Sequence, residues 1–227
     1  MDIGIIIESL PRLWEGSLIT IRITAVSVVL GFILAIPLSI MRVSNNPFIR
    51  LPVYSFNFYF RGTPLLVQIF LLYYGVGQFH QELKQVGLWW FFREAYYCGL
   101  LALTLNSIAY QAEIVRGAVM AIPKSLEEAG ASISLSRLKI YRFIHIPIAT
   151  ARMLPALGNE FVLLLKASSL VSIIAVADVL GQARYLFSET LDLSVFYIAA
   201  ANYLIIVLIA EAVLRKIEAR NVWLTTQ

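Results

Sequence analysis

Four ionisable side chains interrupt long apolar runs of this chain: Arg61, Glu113, Glu160 and Lys166. At membrane depth such a group costs several kcal/mol unless it faces water, an opposite charge or a charged ligand. Asn106, Tyr110 and Glu113 are spaced by four and three, which puts all three on one helix face, with Gln111 about 100° away. Glu160 shares a face with Leu164 and Ala167, and Lys166 lies about 120° round. Glu160, with help from Asn159, Gln111 or Glu113, is thus suited to hold a cationic group. The alternative is a pairing of Glu160 with Lys166 or Arg61 that only fixes packing. Arg61, followed by Gly62-Thr63-Pro64, suits a carboxylate or marks a helix kink.

Bond-making chemistry finds no matching constellation. Cys98 is the single cysteine, so neither an internal disulfide nor a cysteine metal site is available. The two histidines, His80 and His145, lie far apart without ligand spacing. An enzyme using Glu113, Glu160 or His145 as acid or base needs a nucleophile–base pair or a metal cluster, and no such spacing occurs. A phosphate-cradling loop requires Gly-x-x-x-x-Gly-Lys-Ser/Thr. The nearest candidate, Lys124-Ser125, has Pro123 where the final glycine belongs. The chain reads as neither enzyme nor ATPase.

The elements that position these residues are membrane spans. Of 227 residues, 59% are hydrophobic and 14% charged, with a mean hydropathy of +0.78. A soluble domain carries about 25% charged residues. The apolar residues fall in blocks near the roughly 20 residues that cross ~30 Å of hydrocarbon as a helix. Five spans are expected: Leu18 to Met41, Leu51 to about Gly77, Ala95 to about Val119, about Met153 to Val176, and about Ser194 to Leu214. The end of the fourth is the least definite, because Ser168-Ser169 and Asp178 suit a partly re-entrant stretch. Gln78 to Glu94, with Trp89 and Trp90, reads as an interfacial aromatic loop. Residues 1–16 lack the basic start of a cleavable signal peptide. Ile3 to Trp14 read instead as a separate interfacial helix on the outer side, preceding a spanning domain of residues 17–227.

The formal net charge of +4 and pI near 9.2 do not point to nucleic acid, because no basic stripe stands free of the apolar segments. The bases follow the loops. One side collects Arg42, Arg50, Arg116, Lys124, Arg137, Lys139, Arg142, Arg152, Arg215, Lys216 and Arg220, against Arg12, Lys84, Arg93 and Arg184 opposite. The positive-inside rule then predicts an outer N-terminus and a cytoplasmic C-terminus.

Between the third and fourth spans lies a long amphipathic segment, Ala121 to Ala151. Ser125 is spaced to cap a helix with Glu128 as the capping-box partner, and Ser134 to Ser136 offer a second cap. Leu138, Tyr141 and Ile144-His145 continue at helical spacing until Pro147 ends that helix or opens the next span. Two short helices joined by a bend make a knob for a partner or a linker lying on the membrane surface.

Glu128-Ala129-Gly130, the small residue Ser134 four positions on and Ile146-Pro147 resemble the "EAA loop" of the permease subunits of bacterial ATP-binding cassette importers. Arg61-Gly-Thr-Pro-Leu-Leu-Val-Gln68, Tyr110-Gln-Ala-Glu113-Ile-Val-Arg116-Gly and Leu154-Pro-Ala-Leu-Gly-Asn159-Glu160-Phe-Val-Leu-Leu-Leu-Lys166-Ala-Ser168-Ser169 are similar to its polar amino-acid branch. The match runs from about Arg12 to Arg220. It implies an all-α membrane protein with the type I importer permease fold and cytoplasmic coupling helices, in the bacterial inner membrane. Glu127, Glu128, Ala129, Gly130, Ser134, Arg137, Ile146 and Pro147 would couple to the ATPase. Thr63, Gln68, Ser168 and Ser169 would join Arg61, Gln111, Glu113, Asn159, Glu160 and Lys166 along a substrate path.

The resemblance further implies a separate ATPase dimer that binds ATP and Mg, no cofactor in this chain, a second identical or homologous permease and a periplasmic or lipid-anchored binding protein. The two acids suggest a basic substrate: arginine, lysine, ornithine, histidine or an opine. Glutamine and cystine carriers share most of these residues, and a stand-alone carrier or channel is the rival class. The chain departs from the family pattern at Gly130, where alanine is usual, at Ser134, where glycine is usual, and at Ser125-Leu126, where Gly-Gln is common.

Overall fold

A computed structural model describes residues 3–219, with side chains described from Ser9 onward. The first element, α1 (Ile3–Arg42), is one helix of 40 residues that runs through Pro11 and Pro37. The expected separate interfacial helix at Ile3 to Trp14 is therefore continuous with the first span. Tertiary contacts hold that early stretch in line: Leu13 and Ser17 are buried, and Arg12 pairs with Glu189 at 2.6 Å while lying over the Tyr185 ring.

The second expected span is broken. Helix α2 (Pro47–Gly62) is capped by Asn46, which accepts from the Phe48 N–H, and it stops where Thr63 and Pro64 adopt extended backbone. Proline lacks an N–H and forces its predecessor out of the helical region, so α3 (Leu65–Phe70) and a π-turn (Leu71–Gly75) start afresh. Two short helices, α4 (His80–Gln85) and α5 (Trp89–Phe92), fill the aromatic loop before α6 (Ala95–Met120).

After α6 come α7 (Lys124–Ser132), α8 (Arg137–Ile140), a π-turn (Tyr141–His145), α9 (Ile146–Ala167) and a 3-10 stretch (Ser168–Ile174). The last helices are α10 (Val179–Thr190) and α11 (Ser194–Ala219). Among the described residues, four helices are long and apolar enough to cross a membrane: Ser9–Arg42, Ala95–Met120, Arg137–Ile174 and Ser194–Ala219. The fifth expected span is the α2–α3 pair rather than one continuous helix.

Helix α1 packs through a stripe of small residues that faces α10 and α11 near its start and α6 further on. Ser17, Thr20, Thr24, Ser27, Gly31, Ala35 and Ser39 are all buried at spacings of three or four. In lipid there is no hydrophobic drive between helices, so small side chains that let backbones approach supply the association. A Cβ at Gly31 would come within 2.9 Å of Ser107 Oγ, and one at Gly16 within 2.9 Å of the Asp178 backbone. Two apolar clusters flank α1: Ile23, Cys98, Leu103, Leu164 and Val171 on the α6 side, and Leu13, Val162, Leu165, Val179 and Val207 on the α9–α11 side. At the start of α10, Asp178 accepts from the Gly181 N–H (2.8 Å) and the Tyr203 hydroxyl (2.8 Å), joining α10 to α11.

Candidate translocation path and coupling surface

Pro64 determines where several of the predicted path residues point. Without an N–H on Pro64, the Phe60 carbonyl loses its helical donor, and an orphan carbonyl at membrane depth costs several kcal/mol. Gln68 and Asn106 replace that donor. Gln68 Nε2 donates to Phe60 O (2.9 Å), Thr63 O (3.1 Å) and Thr63 Oγ1 (2.9 Å), and Asn106 Nδ2 donates to Phe60 O (3.2 Å) and Gln68 Oε1 (3.1 Å). Thr63 Oγ1 donates to Tyr59 O at 2.8 Å. Thr63 and Gln68 therefore hold the helix break together, tied to α6 by Asn106.

Gln111 faces α1. It is almost wholly buried, and its Nε2 donates to Val28 O (3.1 Å) and Ser107 Oγ (2.6 Å). Glu113 sits further along α6 in a charge cluster. Arg116 NH2 lies 2.7 Å from Oε2, Asn57 Nδ2 donates to Oε1 at 3.0 Å, and Arg42 Nε stands 3.5 Å from Oε1. The expected proximity of Glu113 and Arg116 is present. Asn57 and Arg42 are additions that the spacing argument does not supply, although Asn57 lies one turn before Arg61 on α2 and is a readable signal.

Glu160 behaves differently. It is only 7% exposed on α9, and among the described residues no hydrogen bond or ion pair engages its carboxylate. Lys166, one of the two bases expected as its partner, is exposed and away from it. Arg61, the other, is exposed at the end of α2; its guanidinium lies 5.4 Å from the Tyr110 ring centre. No salt bridge joins Glu160 to either base, but the Arg61 guanidinium stands near enough to act on the Glu160 carboxylate electrostatically. Asn159 is exposed and lines a separate cleft of about 240 Å³ with Gly158, Glu211 and Glu218. Ser168 and Ser169 donate to the carbonyls of Leu165 (2.8 Å) and Lys166 (2.8 Å), where α9 tightens into the 3-10 stretch.

The knob between α6 and α9 forms as two packed pieces, with altered chemistry at three positions. Helix α7 starts from Pro123, not from a Ser125 cap: Pro123 has the extended ψ of a cap residue, and the Ser125–Glu128 capping box does not form. At its other end Ser134 takes a left-handed φ of 60°. Ser134 N–H donates to Ala131 O (2.9 Å) and Leu135 N–H to Gly130 O (3.1 Å), the Schellman pair that ends a helix. The second piece does not stop at Pro147. A π-turn precedes it, with Ile146 N–H donating to Tyr141 O five residues back, so the helix absorbs the proline and runs into the span.

Gly130 is the joint. A Cβ there would meet Ile144 Cδ1 at 3.1 Å and Ile140 Cγ1 at 3.2 Å, so its close approach is to this chain's own second helix. Glu127 turns back toward His145 (4.0 Å), whereas Glu128 is exposed and unpaired among the described residues. Ala129 and Arg137 are exposed, as are Ile146, Leu138 (78%) and Tyr141 (56%), while Pro147 is half-buried. Since a left-handed residue other than glycine costs roughly 1–2 kcal/mol, partly offset by the freedom glycine gains in the unfolded chain, Ser134→Gly should raise stability by about 0.5–1 kcal/mol. Thermal unfolding of the detergent-purified variant would read this as a rise of about 1–4 °C.

Long apolar helices joined by an exposed knob describe a membrane-spanning chain with a surface open to another subunit. Residues 27–222 match the family model for the binding-protein-dependent transport system inner membrane component. The chain belongs to this family. Such a permease subunit is no enzyme: it works in a multi-pass membrane assembly with an ATPase and a binding protein.

Several relatives of this permease carry specific names. The nopaline transport system permease protein of Agrobacterium fabrum is 40% identical over 212 residues, covering 93% of this chain and 88% of its own. The arginine ABC transporter permease protein of Haemophilus influenzae is 39% identical over 214 residues, covering 94% and 93%. The histidine/lysine/arginine/ornithine transport system permease protein of Salmonella typhimurium is 40% identical over 212 residues, covering 93% and 89%. Among solved structures, an amino acid ABC transporter with histidines superposes with a TM-score of 0.85 at 33% identity, covering 97% of this permease and 99% of that chain. A methionine ABC transporter in an inward-facing conformation shares the fold, with a TM-score of 0.73 at 19% identity and coverage of 92% and 96%.

Proposed function

We propose that this permease forms half of the path of an ATP-driven importer for a basic amino acid or an opine, with Glu160 as the group that meets the solute's cation. The supporting observation is the carboxylate itself, buried on α9 with no hydrogen bond or salt bridge among the described residues and with Arg61 acting on it only from a distance. A buried charge that lacks a direct contact with its counter-ion is poorly compensated, so a cationic solute in contact with it completes the site each time it passes. The names of the relatives agree in class, since arginine, lysine and ornithine carry a side-chain cation at neutral pH.

A second permease, identical or homologous, supplies the other half, and a periplasmic or lipid-anchored binding protein delivers solute. The N-terminus faces outward, and α7 lies in the cytoplasm against the ATPase dimer that holds ATP and Mg. Closure of that dimer tilts α7 and, through the continuous Arg137–Ile174 helix, moves Glu160 between outward and inward access.

Equilibrium binding of radiolabelled arginine to the purified permease–ATPase complex, without binding protein, tests the class. Lysine or octopine should displace the label at concentrations roughly a hundredfold below those needed for glutamine. Equal displacement by glutamine would refute a cation-selective site. For orientation, N45C and Q81C should label from opposite faces of intact membranes, with native Cys98 silent because it is fully buried. Labelling of both from one face would overturn the topology.

A further inference from the structure

At the end of the bundle remote from α7, a polar cleft opens where the 3-10 stretch meets α10. It encloses about 460 Å³, within the range of small-molecule sites. Tight backbone packing shapes its wall. Ala175, in the lining, takes a left-handed φ of 66°, a conformation that residues other than glycine adopt only under constraint. A Cβ at Gly181 would strike the Val176 carbonyl, so α10 lies directly on this turn. Arg184 follows one turn later on the same face of α10.

Arg184 is the one charged residue of the lining. It is exposed, and its NH1 donates to Ser172 O at 3.3 Å, which leaves most of the five guanidinium N–H groups unused. No acid among the described residues forms an ion pair with it. The acids that flank it in sequence are engaged elsewhere. Glu189 holds Arg12 at 2.6 Å, and Asp178 is fully buried, accepting from the Gly181 N–H and the Tyr203 hydroxyl. Two other polar groups of the lining are also unfinished. The buried Ser172 hydroxyl has no hydrogen-bond partner, and the Gln182 side chain makes no hydrogen bond among the described residues. A free guanidinium beside a free amide suits a carboxylate, which a guanidinium grips through two parallel hydrogen bonds.

We infer that this cleft is a first station for the carboxylate of the solute, with Arg184 as its ligand and Gln182 as a second donor. It rests on the amino-acid or opine solute proposed above, each of which carries a carboxylate, but not on Glu160. On the orientation proposed above this is the outer end, where solute arrives first. Ser172 stands twelve residues past Glu160, roughly 20 Å along the helix axis, so one solute cannot hold both groups at once. Arg184 repels a side-chain cation while it takes the carboxylate. A basic solute is therefore held with its cation leading away from Arg184.

The test follows modification of Arg184 by phenylglyoxal, an arginine-selective reagent, in the purified permease–ATPase complex without binding protein. Peptide mass spectrometry reads the rate. Lysine at high concentration should slow the modification by about five- to tenfold, and glutamine should slow it similarly, since both carry the carboxylate. Cadaverine, which is lysine without its carboxyl group, should have little effect. Acetate should also have little effect, because it offers the cleft wall nothing else to hold. Arg215, exposed elsewhere, should react at the same rate throughout. Protection should persist in Glu160→Gln, which separates this station from the proposed cation site. A loss of cation selectivity in the arginine displacement experiment would leave protection of Arg184 intact. Failure of lysine to protect, equal protection by cadaverine or acetate, parallel slowing at Arg215, or loss of protection in Glu160→Gln would each overturn the inference. Should that variant fail to assemble, the comparison of lysine with cadaverine on the native complex decides alone.

Discussion

Replacing Glu160 with glutamine should weaken arginine binding to the permease–ATPase complex by roughly ten- to a hundredfold while leaving the unfolding midpoint nearly unchanged. Glutamine keeps the shape and hydrogen-bonding reach of the side chain and removes only its charge. No salt bridge within the described residues holds Glu160, and Arg61, which acts on it from a distance, is itself exposed, so the substitution leaves no buried charge orphaned. What it removes is the charge-assisted contact with the solute, worth about 1.5–3 kcal/mol. A merely structural Glu160 would give the opposite pattern: a shifted midpoint with arginine binding intact. Direct binding and thermal unfolding of the same preparation separate the two, and unchanged affinity would end the proposed role.

Glu128→Arg should abolish nearly all arginine uptake into proteoliposomes containing the complete importer, while the permease still inserts and folds. The two neighbouring acids of α7 are not equivalent. Glu127 bends back toward His145 at 4.0 Å, whereas Glu128 points into solvent beside exposed Ala129. Reversal of an exposed, unpaired charge changes little in the folded chain. Across a docked interface, losing a charge that a partner has desolvated costs about 2–5 kcal/mol, and a reversed charge adds repulsion. ATP hydrolysis by the assembled complex should then no longer respond to loaded binding protein. Normal uptake by this variant would exclude Glu128 from the coupling contact. Glu127→Arg should act more weakly on docking and more on the α7–α9 joint, which thermal unfolding would register.

Much of this fold is readable along the chain because a bilayer imposes local rules. Each span must satisfy its own backbone and present apolar side chains to lipid, so α6 and α11 fall close to their expected limits without knowledge of neighbours. The break at Gly62-Thr63-Pro64 is visible for the same reason, since proline acts on its own helix. The stripe of Ser17, Thr20, Thr24, Ser27, Gly31, Ala35 and Ser39 is also present in the sequence at helical spacing. It leaves no mark on the apolar pattern, because small residues barely alter hydropathy.

Partnership is not readable. Glu113, Glu160, Gln68 and Gln111 are all polar groups in apolar runs, and spacing assigns each to a helix face without saying what lies opposite. Only the packed bundle separates them: Gln68 serves the Phe60 carbonyl, Gln111 the α1 seam and Glu113 two arginines, while Glu160 makes no hydrogen bond or salt bridge within the described residues and meets Arg61 only from a distance. Likewise Ser134 has the sequence signature of a cap and Gly130 that of a surface for a partner. In the folded chain Leu135 N–H closes on Gly130 O, and Ile140 and Ile144 cover the glycine. Local rules act within one helix, so the order of residues determined the spans and the knob. Charge neutralisation and close packing act between helices, so only their arrangement in space decided which polar groups are hydrogen-bonded or ion-paired within the chain and which are not.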